Sequence, residues 1–593
     1  MGKRLGQLTH NNTKCMLEVN GIKLIDRALA SLKQVGVERI IMVVGYKSDN
    51  VKHYLGDNYS GIPIHYILNP VYDKTNNIYS LFLARELMTQ DDTILLESDI
   101  IFDTAIMQKL VDDPFPNIAL VDHYESWMEG TMVTIDQENR ITRIIDKNGF
   151  RFDEASTYFK TVNIYKFSKE FARRYYIPFL DAYTTAVGNN AYYEQVLRII
   201  LHLHEAPLKA LALDGESWYE IDDIQDLDIA SSIFAATADQ HYSAVASRFG
   251  GYWRYPKMLD FCYLVNPYFP PQRLCDELKA NFDTLLRQYP SGMRVNSLLA
   301  SRYFDVDQDY IVVGNGAAEL IKAYMENHVA RLGIVLPSFE EYPNRLPLDK
   351  VVAYTPPSDD FHYSAADIKA YFNNADISTL LIINPDNPSG NYIPYAELLD
   401  LIAWGKGRGV NILVDESFVD FAKVEGKQTL FDDAILQANP HLVVVKSISK
   451  SFGVPGLRLG VLACGDAGLI ATLKKEVAIW SINSFAEYYL QIYHKYSSDY
   501  RLACQQFMEE RELFFQELQQ VTYLKVFPSQ ANYFLCKLRG RFTSHQLALE
   551  LLKAGILIKD CSTKKAFAGA NYIRIAIRDR HDNHYLVQTL KSL

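Results

Sequence analysis

The feature that most constrains this chain is a lysine that follows a short, continuous apolar segment. Residues 442–445 read LVVV, which is typical of a strand buried on both faces of a parallel sheet. Lys450 follows in the stretch SISKSFGVPGLRLG, where it can form a Schiff base while Ser447 and Ser449 hold a phosphate. Arg458 adds a planar positive fork suited to the same anion. Taken alone, the stretch also suits a surface loop with scattered basic residues.

Two upstream segments likewise place polar residues after strand-like apolar runs. NPDNPSG (384–390) follows LLII, and Asp415 follows ILV and begins the tetrapeptide DESF. Together with the lysine stretch, these motifs resemble the fold-type I, class I/II aminotransferases that use pyridoxal 5′-phosphate (PLP). The histidinol-phosphate aminotransferase and threonine-phosphate decarboxylase branch is the most similar. The resemblance implies a PLP-dependent α/β domain.

The resemblance also assigns roles to individual residues. Lys450 would carry the cofactor, and Asp415 would pair with the pyridine nitrogen and keep it protonated, which makes the ring an electron sink. Asn387 would bond the ring hydroxyl, and Phe339 would stack on the ring. Arg574 would clamp the substrate carboxylate with a bidentate fork, which lysine cannot provide.

A phosphate cup and a homodimer follow from the same resemblance. Backbone N–H groups at the helix start after GNG (314–316) suit a phosphate dianion. The predicted cup consists of Ala317, Ala318, Ser447, Ser449 and Arg458. Tyr289 matches a tyrosine that reaches the cofactor phosphate of a neighbouring subunit, which implies a homodimer through this domain. Phe418 stands where the histidinol-phosphate enzymes usually carry tyrosine, so transamination and decarboxylation both stay open.

The beginning of the chain resembles a second family. MGKRLG and TKCML (13–17) resemble the glycine-rich loop and following element of sugar-phosphate and phosphocholine nucleotidyltransferases. The opening strand of that family is missing and Thr13 stands where proline is usual, so we expect Met1 to be an internal methionine of a longer natural protein. Arg4 and Lys14 would neutralise the nucleotide triphosphate and the departing pyrophosphate. A basic N-terminal tail is the alternative interpretation.

Downstream of this loop, helical and strand periodicities alternate, which predicts a Rossmann-like domain with a mixed sheet and sites at strand ends. Asn77 and Ser80, in NNIYS, match residues that approach the nucleotide, although such residues also cap helices. Asp99 follows a strand, and Glu220 and Asp222 would share one strand face. These three carboxylates would bind Mg²⁺, which prefers carboxylate oxygens.

The acceptor of the nucleotidyl group would lie near Lys160, which we expect to hold the attacking phosphate or phosphonate. An ammonium on the acceptor could contact aromatic rings, with Asp122 or Glu129 adding charge. The aromatic candidates are Tyr124, Trp127 and Trp218. Core packing is the alternative for each ring.

Length and composition limit the remaining choices. A chain of 593 residues exceeds one core, and we predict a nucleotidyltransferase domain (1–235), a connector (236–250) and an aminotransferase domain (251–593). The net charge of −11 argues against nucleic-acid binding. Seven cysteines without CxxC or zinc spacing favour reduced thiols in the cytoplasm, and no apolar run is long enough to span a membrane.

The two halves together resemble fused phosphonate-tailoring enzymes. The resemblance implies that phosphonoacetaldehyde and an amino-acid donor give 2-aminoethylphosphonate, which CTP and Mg²⁺ then convert to CMP-2-aminoethylphosphonate with pyrophosphate release. One alternative is a phosphoserine- or phosphothreonine-type decarboxylase joined to a phosphoethanolamine or phosphocholine cytidylyltransferase. Another is a first domain that only supports the PLP dimer. No residue selects cytosine over uracil, or phosphonate over phosphate.

Overall fold

The computed structural model describes residues 3–203, 208–255, 258–263, 265–567 and 569–593, without the side chains of residues 3 and 565. The chain divides into two units, residues 1–256 and 257–593. Met1 and Gly2, which we expected in the phosphate loop, lie outside the described residues. No helix in the described ranges is both long enough and apolar enough to cross a membrane. The seven cysteines are all free thiols.

Short strands and helices alternate through the first unit. Its strands are β1 (Glu18–Val19), β2 (Ile22–Lys23), β3 (Ile40–Val44), β4 (Asn58–Tyr59), β5 (Ile62–Leu68), β6 (Thr93–Leu96), β7 (Ile100–Phe102), β8 (Ile118–His123), β9 (Met132–Ile135), β10 (Ile141–Ile145), β11 (Phe159–Phe167), β12 (Lys209–Ala212) and β13 (Trp218–Glu220). Its helices are α1 (Gln7–His10), α2 (Leu24–Gln34), α3 (Ser48–Leu55), α4 (Asn77–Met88), α5 (Thr104–Asp112), α6 (Lys169–Phe171), α7 (Ile177–Ala186), α8 (Glu194–Ile200), α9 (Ile224–Ile233) and α10 (Ala238–Ala246).

The largest sheet of the first unit is mixed. Its order is β10-β9-β11-β8-β12, and β6 also pairs with β11. Strand β12 is parallel to β8, whereas β11 is antiparallel to β6, β8 and β9. Strands β3, β5 and β4 form a separate sheet, and β13 pairs with β7. The expected mixed α/β fold is confirmed, although β3 and β6 belong to different sheets.

Local sequence explains where two helices near the site begin. The Asn76 side chain accepts a hydrogen bond from Asn77 N at 2.9 Å and caps α4. A capping box of Asp223 and Asp226 starts α9 directly after β13. Helix α10 lies within the stretch that we predicted as a connector, residues 236–250, and belongs to the first unit.

The second unit contains the larger main sheet, of seven strands. Its strands are β14 (Leu259–Asp260), β15 (Ile311–Asn315), β16 (Leu332–Val335), β17 (Val351–Tyr354), β18 (Thr379–Ile383), β19 (Asn411–Asp415), β20 (Leu442–Ser447), β21 (Leu459–Cys464), β22 (Leu524–Val526), β23 (Tyr533–Leu538), β24 (Ile556–Leu557), β25 (Lys559–Asp560) and β26 (Tyr572–Ala576). Its helices are α11 (Gln272–Ala280), α12 (Phe282–Arg287), α13 (Met293–Phe304), α14 (Ala317–His328), α15 (Ala365–Phe372), α16 (Tyr395–Arg408), α17 (Asp433–Ala438), α18 (Ala467–Glu476), α19 (Ser484–Ile492), α20 (Ser497–Leu518), α21 (Ser544–Lys553) and α22 (Arg580–Ser592).

Seven strands form the main sheet of this unit, in the order β15-β21-β20-β19-β18-β16-β17. The five strands from β16 to β20 run parallel to one another. Strand β21 is antiparallel to both of its neighbours, β15 and β20. A smaller antiparallel sheet has the order β22-β23-β26-β25. Because β18, β19 and β20 are adjacent and parallel, the loops after them meet at one edge.

The apolar run of β20 reflects burial on both faces of the main sheet. Leu442 and Val444 pack into one apolar cluster together with residues of α16, whereas Val443 and Val445 pack into a second cluster with residues of α14. A strand covered by helices on both sides has no solvated face, so alternation between apolar and polar residues disappears.

Substitution of Gly465, which directly follows β21, would test how tightly this core is packed. An added Cβ would lie 1.9 Å from Leu436 O, which is backbone and cannot move aside cheaply. We expect Gly465→Ala to lower the free energy of unfolding by about 1–3 kcal/mol. Gly407→Ala, in α16 with no atom within 4 Å of the added Cβ, is the control and should be neutral or slightly stabilising. Calorimetric unfolding of both variants checks this, and equal effects would contradict it.

Candidate active sites

The three adjacent strand ends of the second unit bring together the predicted cofactor residues. Asn387 follows β18, Asp415 ends β19, and Lys450 follows β20. Lys450 O accepts a hydrogen bond from Asn266 N at 2.9 Å, which ties the lysine loop to the segment after β14.

The electrostatic surroundings of Lys450 favour its uncharged form. Burial lowers the pKa of its ammonium to about 8, and the positive charges of Arg574 and Arg458 act in the same direction. Asp415 opposes them with its negative charge. A lysine in this environment is a nucleophile near neutral pH, which is the property that a carbonyl-binding amine needs.

Asp415 is buried but hydrogen-bonded. Burial raises the pKa of its carboxyl, while its hydrogen bonds favour the ionised form. The Tyr342 hydroxyl donates to Asp415 Oδ2 at 2.8 Å, and Ser417 N donates to Oδ1 at 2.9 Å. Tyr342 was missed by sequence reasoning, since its position three residues after Phe339 carries no recognisable motif.

An anion cup lies at the start of α14. Gly316 has a φ of +73°, and an added Cβ there would lie 2.7 Å from a guanidinium nitrogen of Arg458. Gly316 N also donates to Arg458 O at 2.8 Å. The Ser449 hydroxyl is buried without a hydrogen-bond partner among the described residues, and Ser449 N donates to Ser447 Oγ at 3.3 Å. A guanidinium, an unpaired hydroxyl and the N–H groups of Ala317 and Ala318 suit a phosphate dianion.

Arg574 reaches the same site from β26. Its Nη1 donates to Asn387 Oδ1 at 2.8 Å and its Nη2 donates to Cys262 O at 2.8 Å. Its buried Nε has no hydrogen-bond partner in the described part of the chain. Asn387 therefore uses its side-chain oxygen to hold Arg574.

Two predicted residues stand apart from these contacts. Phe339 is 42% exposed, and its ring centroid lies 6.3 Å from that of Tyr342. Tyr289 is 78% exposed and stacks on Trp480 at 4.5 Å between ring centroids. The predicted contact of Tyr289 with a neighbouring subunit stays a prediction.

A buried ion pair helps to hold the loop that carries Lys450 in place. Lys446 Nζ donates to Asp420 Oδ1 at 2.8 Å, and the Ser451 hydroxyl donates to Asp420 Oδ2 at 2.8 Å. Ser451 follows Lys450, so Asp420 links the strand before the lysine to the residue after it. Sequence reasoning missed this network, because Asp420 lies 26 and 31 residues before its two partners and belongs to no recognised motif.

The first unit contains a cavity of about 680 Å³ that brings together most of its predicted site residues. The predicted residues that line it are Arg4, Lys14, Asn77, Asp99, Lys160, Glu220 and Asp222. Ser80 is not in the lining of this cavity and instead accepts a hydrogen bond from Asn69 Nδ2 at 3.2 Å. Its predicted substrate contact is therefore not supported by the geometry.

Lys14 lies between two carboxylates of the cavity. Its Nζ is 2.9 Å from Asp99 Oδ2 and 2.5 Å from Asp222 Oδ1. Burial alone would lower the pKa of Lys14, but Asp99 and Asp222 raise it above the ordinary lysine value. Arg4 is more exposed, with its Nη1 3.0 Å from Glu129 Oε2. Both basic groups are charged at neutral pH and available to phosphates.

The carboxylates that converge differ from the predicted metal set. One oxygen each from Glu97, Asp99 and Glu220 lies within 4.8 Å of the others, a spacing that suits one cation. Asp222 is outside this group, because β13 ends at Glu220 and the chain then turns toward Lys14. The expectation that Glu220 and Asp222 share a strand face is therefore wrong. Glu97 was overlooked although it lies two residues before Asp99.

Lys160 is almost completely buried at this site, with 1% of its surface exposed. Its Nζ donates to Thr161 O at 2.6 Å and lies 3.3 Å from Glu220 Oε2. Asn163 has a φ of +61° and donates to Glu220 Oε1 at 3.3 Å. Glu220 is thus held by an ammonium and an amide, and burial raises the pKa of its carboxyl.

Asn77 has a positioning role that its helix-start location explains. Its Nδ2 donates to Glu97 Oε1 at 3.1 Å, and its Oδ1 accepts from Tyr193 N at 3.0 Å. It therefore connects the carboxylate cluster to the start of α8, where Glu194 lies. Burial raises the pKa of the Glu194 carboxyl to about 7. Nothing in the sequence singled out Glu194.

The aromatic residues proposed to contact an ammonium are core residues. Trp127 stacks on Tyr219 at 4.2 Å between ring centroids. Trp218 Nε1 donates to Asp122 Oδ2 at 2.8 Å. Asp122, which we expected to attract the ammonium of the acceptor, therefore bonds a core tryptophan instead. Tyr124, Trp127 and Trp218 all pack in one apolar cluster and lie outside the lining of the described cavity. The packing alternative is therefore the correct one.

Comparisons with known proteins identify the family of each domain. The family described as aminotransferase class I and II matches residues 259–590. The chain belongs to this family. Residues 1–129 match the MobA-like NTP transferase domain, so the chain joins an N-terminal NTP transferase domain to a class I/II aminotransferase domain. Membership of the aminotransferase family implies PLP as cofactor.

Three relatives illustrate the similarity. The CMP-5′-(3-aminopropyl)phosphonate synthase of Streptomyces rubellomurinus is 30% identical over 100% of this chain and 94% of its own length. The L-serine phosphate decarboxylase of Campylobacter jejuni is 30% identical over 56% of this chain and 87% of its own length. The structure of a decarboxylase from Sulfurospirillum multivorans is 27% identical, with a TM-score of 0.53, and covers 60% of this chain and 98% of its own.

The aminotransferase domain fits PLP on its own geometry. The Ser449 hydroxyl, which has no hydrogen-bond partner among the described residues, and the Arg458 guanidinium over Gly316 suit the phosphate. The Asp415 carboxyl suits a protonated pyridine nitrogen. Lys450 provides the amine for the aldehyde.

Uptake of PLP by the apo-protein should slow as the pH falls below about 8, because a protonated Lys450 is not a nucleophile. Arg574→Gln removes a positive charge that lowers the Lys450 pKa, so the midpoint of the pH profile should move upward. The absorbance change on PLP binding measures both profiles. Arg408→Gln, an exposed change at the end of α16, is the control and should leave the midpoint unchanged. An unshifted midpoint in Arg574→Gln would contradict the assigned cause.

Proposed function

We propose that the chain is a bifunctional enzyme that makes a CMP-linked aminoalkylphosphonate. The observation that carries the proposal is the presence, in one chain, of a cavity lined by Arg4, Lys14 and a carboxylate cluster and of a separate lysine site that fits PLP. Full-length similarity to a CMP-5′-(3-aminopropyl)phosphonate synthase supports it and favours cytidine as the base.

The NTP transferase domain would join the acceptor to CMP. An anionic phosphonate oxygen attacks the α-phosphorus of CTP, a P–O bond forms, and the bond to pyrophosphate breaks. The attacking oxygen is already ionised, so no strong base is required. Arg4 and Lys14 would neutralise the triphosphate and the departing pyrophosphate, and Lys160 would hold the acceptor.

The carboxylates of the same cavity fit Mg²⁺. Asp99 has a buried oxygen, Oδ1, without a hydrogen-bond partner in the described ranges, and Glu97 and Glu220 contribute nearby oxygens. Mg²⁺ would supply positive charge to the phosphates there. Lys14 lies against Asp99, so it is positioned to contact the same phosphates from the other side.

The aminotransferase domain would supply the amine. PLP, when bound, provides the electron sink for breaking a bond at the substrate Cα. Asp415 keeps the pyridine nitrogen protonated, Arg574 binds an anionic group of the substrate, and Lys450 holds and moves the proton at Cα. Decarboxylation of a phosphorylated or phosphonylated α-amino acid is the reaction we place first. Similarity to L-serine phosphate decarboxylase and the apolar Phe418 favour it.

Transamination of phosphonoacetaldehyde to 2-aminoethylphosphonate is the second candidate. Arg574 favours it, because a bidentate fork on a substrate carboxylate stabilises that group in the ground state and so opposes loss of carbon dioxide. The buried, unpaired Nε of Arg574 leaves a donor for such a contact.

Two single variants should separate the half-reactions. Lys450→Ala should abolish formation of the amine and leave pyrophosphate release from CTP and 2-aminoethylphosphonate within about twofold. Asp99→Asn should lower pyrophosphate release by about 100-fold or more, as expected for loss of a metal-binding charge, and leave the PLP reaction intact. Trapped ¹⁴CO₂ and keto-acid assays distinguish decarboxylation from transamination. Loss of both activities in each properly folded variant would contradict two independent sites.

We also propose a homodimer through the aminotransferase domain. Tyr289, Trp480 and Ile479 are exposed apolar side chains, and the first two stack on each other. Sedimentation velocity should give a dimer, and Trp480→Ala should weaken it by about tenfold or more. Phe152→Ala, at an exposed position of the first unit, is the control and should leave the dimer unchanged. A monomer in the unmodified protein at micromolar concentration would contradict the proposal.

A further inference from the structure

A row of alternating charges leads from the exposed Glu129 to the carboxylate cluster of the NTP transferase cavity. Arg4 Nη1 lies 3.0 Å from Glu129 Oε2 and 3.9 Å from Asp222 Oδ2. Lys14 Nζ lies 2.5 Å from Asp222 Oδ1 and 2.9 Å from Asp99 Oδ2. The two basic groups that would neutralise the triphosphate are therefore both engaged by carboxylates of the cavity itself.

Asp99 takes part in two charge arrangements at once. Its Oδ2 accepts a hydrogen bond from the Lys14 ammonium, and one of its oxygens converges with oxygens of Glu97 and Glu220 in the group that fits Mg²⁺. Positive charges that share one carboxylate repel each other strongly at such short distances. The ammonium of Lys14 and a divalent cation therefore compete for Asp99.

The side chains of this contact are open to the cavity. Lys14, Asp99 and Asp222 all line it, and their side chains are 17%, 17% and 31% exposed. A dissolved cation can therefore reach the carboxylates, and the ammonium can leave them without passing through the apolar core.

Lys14 is the cation that can move, whereas the second lysine at the cluster is fixed. Lys160 is 1% exposed, and its Nζ donates to Thr161 O at 2.6 Å. The backbone that carries Lys14 is also held, because Cys15 and Met16 are buried in an apolar cluster. Any movement of the Lys14 ammonium must therefore come from its flexible four-carbon side chain.

The charge balance makes the two ligands depend on each other. A divalent cation at Asp99 has to displace the Lys14 ammonium, which costs the energy of a partly buried ion pair. A triphosphate that draws Lys14 away leaves Asp99 without its counter-ion. Only when both ligands are present does each charged group have an opposite charge beside it.

We propose that Lys14 is an internal counter-ion of the metal-binding carboxylate Asp99, and that it moves to the triphosphate when a divalent cation takes its place. The inference rests on the proposed cytidylyl transfer and goes beyond it: the cation and the nucleotide bind cooperatively, with Lys14 as the residue that couples them. By linkage, each ligand strengthens the other by the same factor.

The first test measures binding of Mn²⁺, which takes the same oxygen ligands as Mg²⁺, to the full-length chain without nucleotide. The electron paramagnetic resonance signal of free Mn²⁺ reports the bound fraction, and Asp99→Asn identifies the ion that belongs to the cavity. Lys14→Met should tighten this binding by about 10- to 100-fold, because the cation no longer has to break a charged hydrogen bond. Lys14→Gln should act in the same direction and serves if Lys14→Met does not fold.

Two control variants separate competition at Asp99 from a general effect of charge. Lys109→Met removes a lysine that lies 2.8 Å from Glu216 Oε1, with similar exposure and outside the cavity lining, and should leave Mn²⁺ binding unchanged. Arg4→Met removes a positive charge from the cavity that does not contact Asp99. Because Arg4 is largely exposed, its loss should tighten Mn²⁺ binding by less than about threefold.

The second test repeats the Mn²⁺ titration with saturating CTP. Chelation of Mn²⁺ by CTP in solution is the same for every variant, so it cancels when the variants are compared. CTP should raise the affinity of the unmodified protein for Mn²⁺, and the gain should be about tenfold or more smaller in Lys14→Met, because the coupling residue is gone.

The opposite results would overturn the inference. Unchanged Mn²⁺ binding in both Lys14 variants would show that Lys14 does not compete for Asp99, and equal tightening in Arg4→Met would reduce the effect to net charge. An undiminished gain from CTP in Lys14→Met would remove the coupling role. These three results leave cytidylyl transfer in place, whereas absence of Asp99-dependent Mn²⁺ binding even with CTP would refute the proposed metal-assisted reaction itself.

Discussion

Lys450 lies where two guanidinium groups and a carboxylate act on it with little water between them, and much of the second unit serves to keep this arrangement. The Arg574 and Arg458 charges disfavour the ammonium, and Asp415 favours it. Each of these residues is held by a contact of its own: Arg574 by Asn387, Arg458 through the backbone of Gly316, and Asp415 by Tyr342. Because a buried charge is sensitive to small displacements, the surrounding hydrogen bonds determine the reactivity of the lysine.

The NTP transferase domain uses the opposite electrostatic arrangement. Its cavity gathers carboxylates from distant parts of the chain and offsets them with Lys14 and Lys160. Burial raises the pKa of Glu97 and of Glu220, so these groups favour a neighbouring cation. A site of this kind is completed by its ligands, since a metal ion supplies the positive charge that the side chains of the cavity lack.

Sequence reasoning succeeded where a functional group lies within a local motif at the end of a strand. Asp415 and Lys450 follow apolar runs whose strand character is evident, and the parallel order brings those ends together. It failed where a contact joins segments far apart, as with Tyr342 and Asp415, or Asn77 and Glu97. Trp127 and Trp218 were ambiguous for a different reason: a tryptophan in the core and one in a binding site share the same apolar neighbours, and only packing distinguishes them.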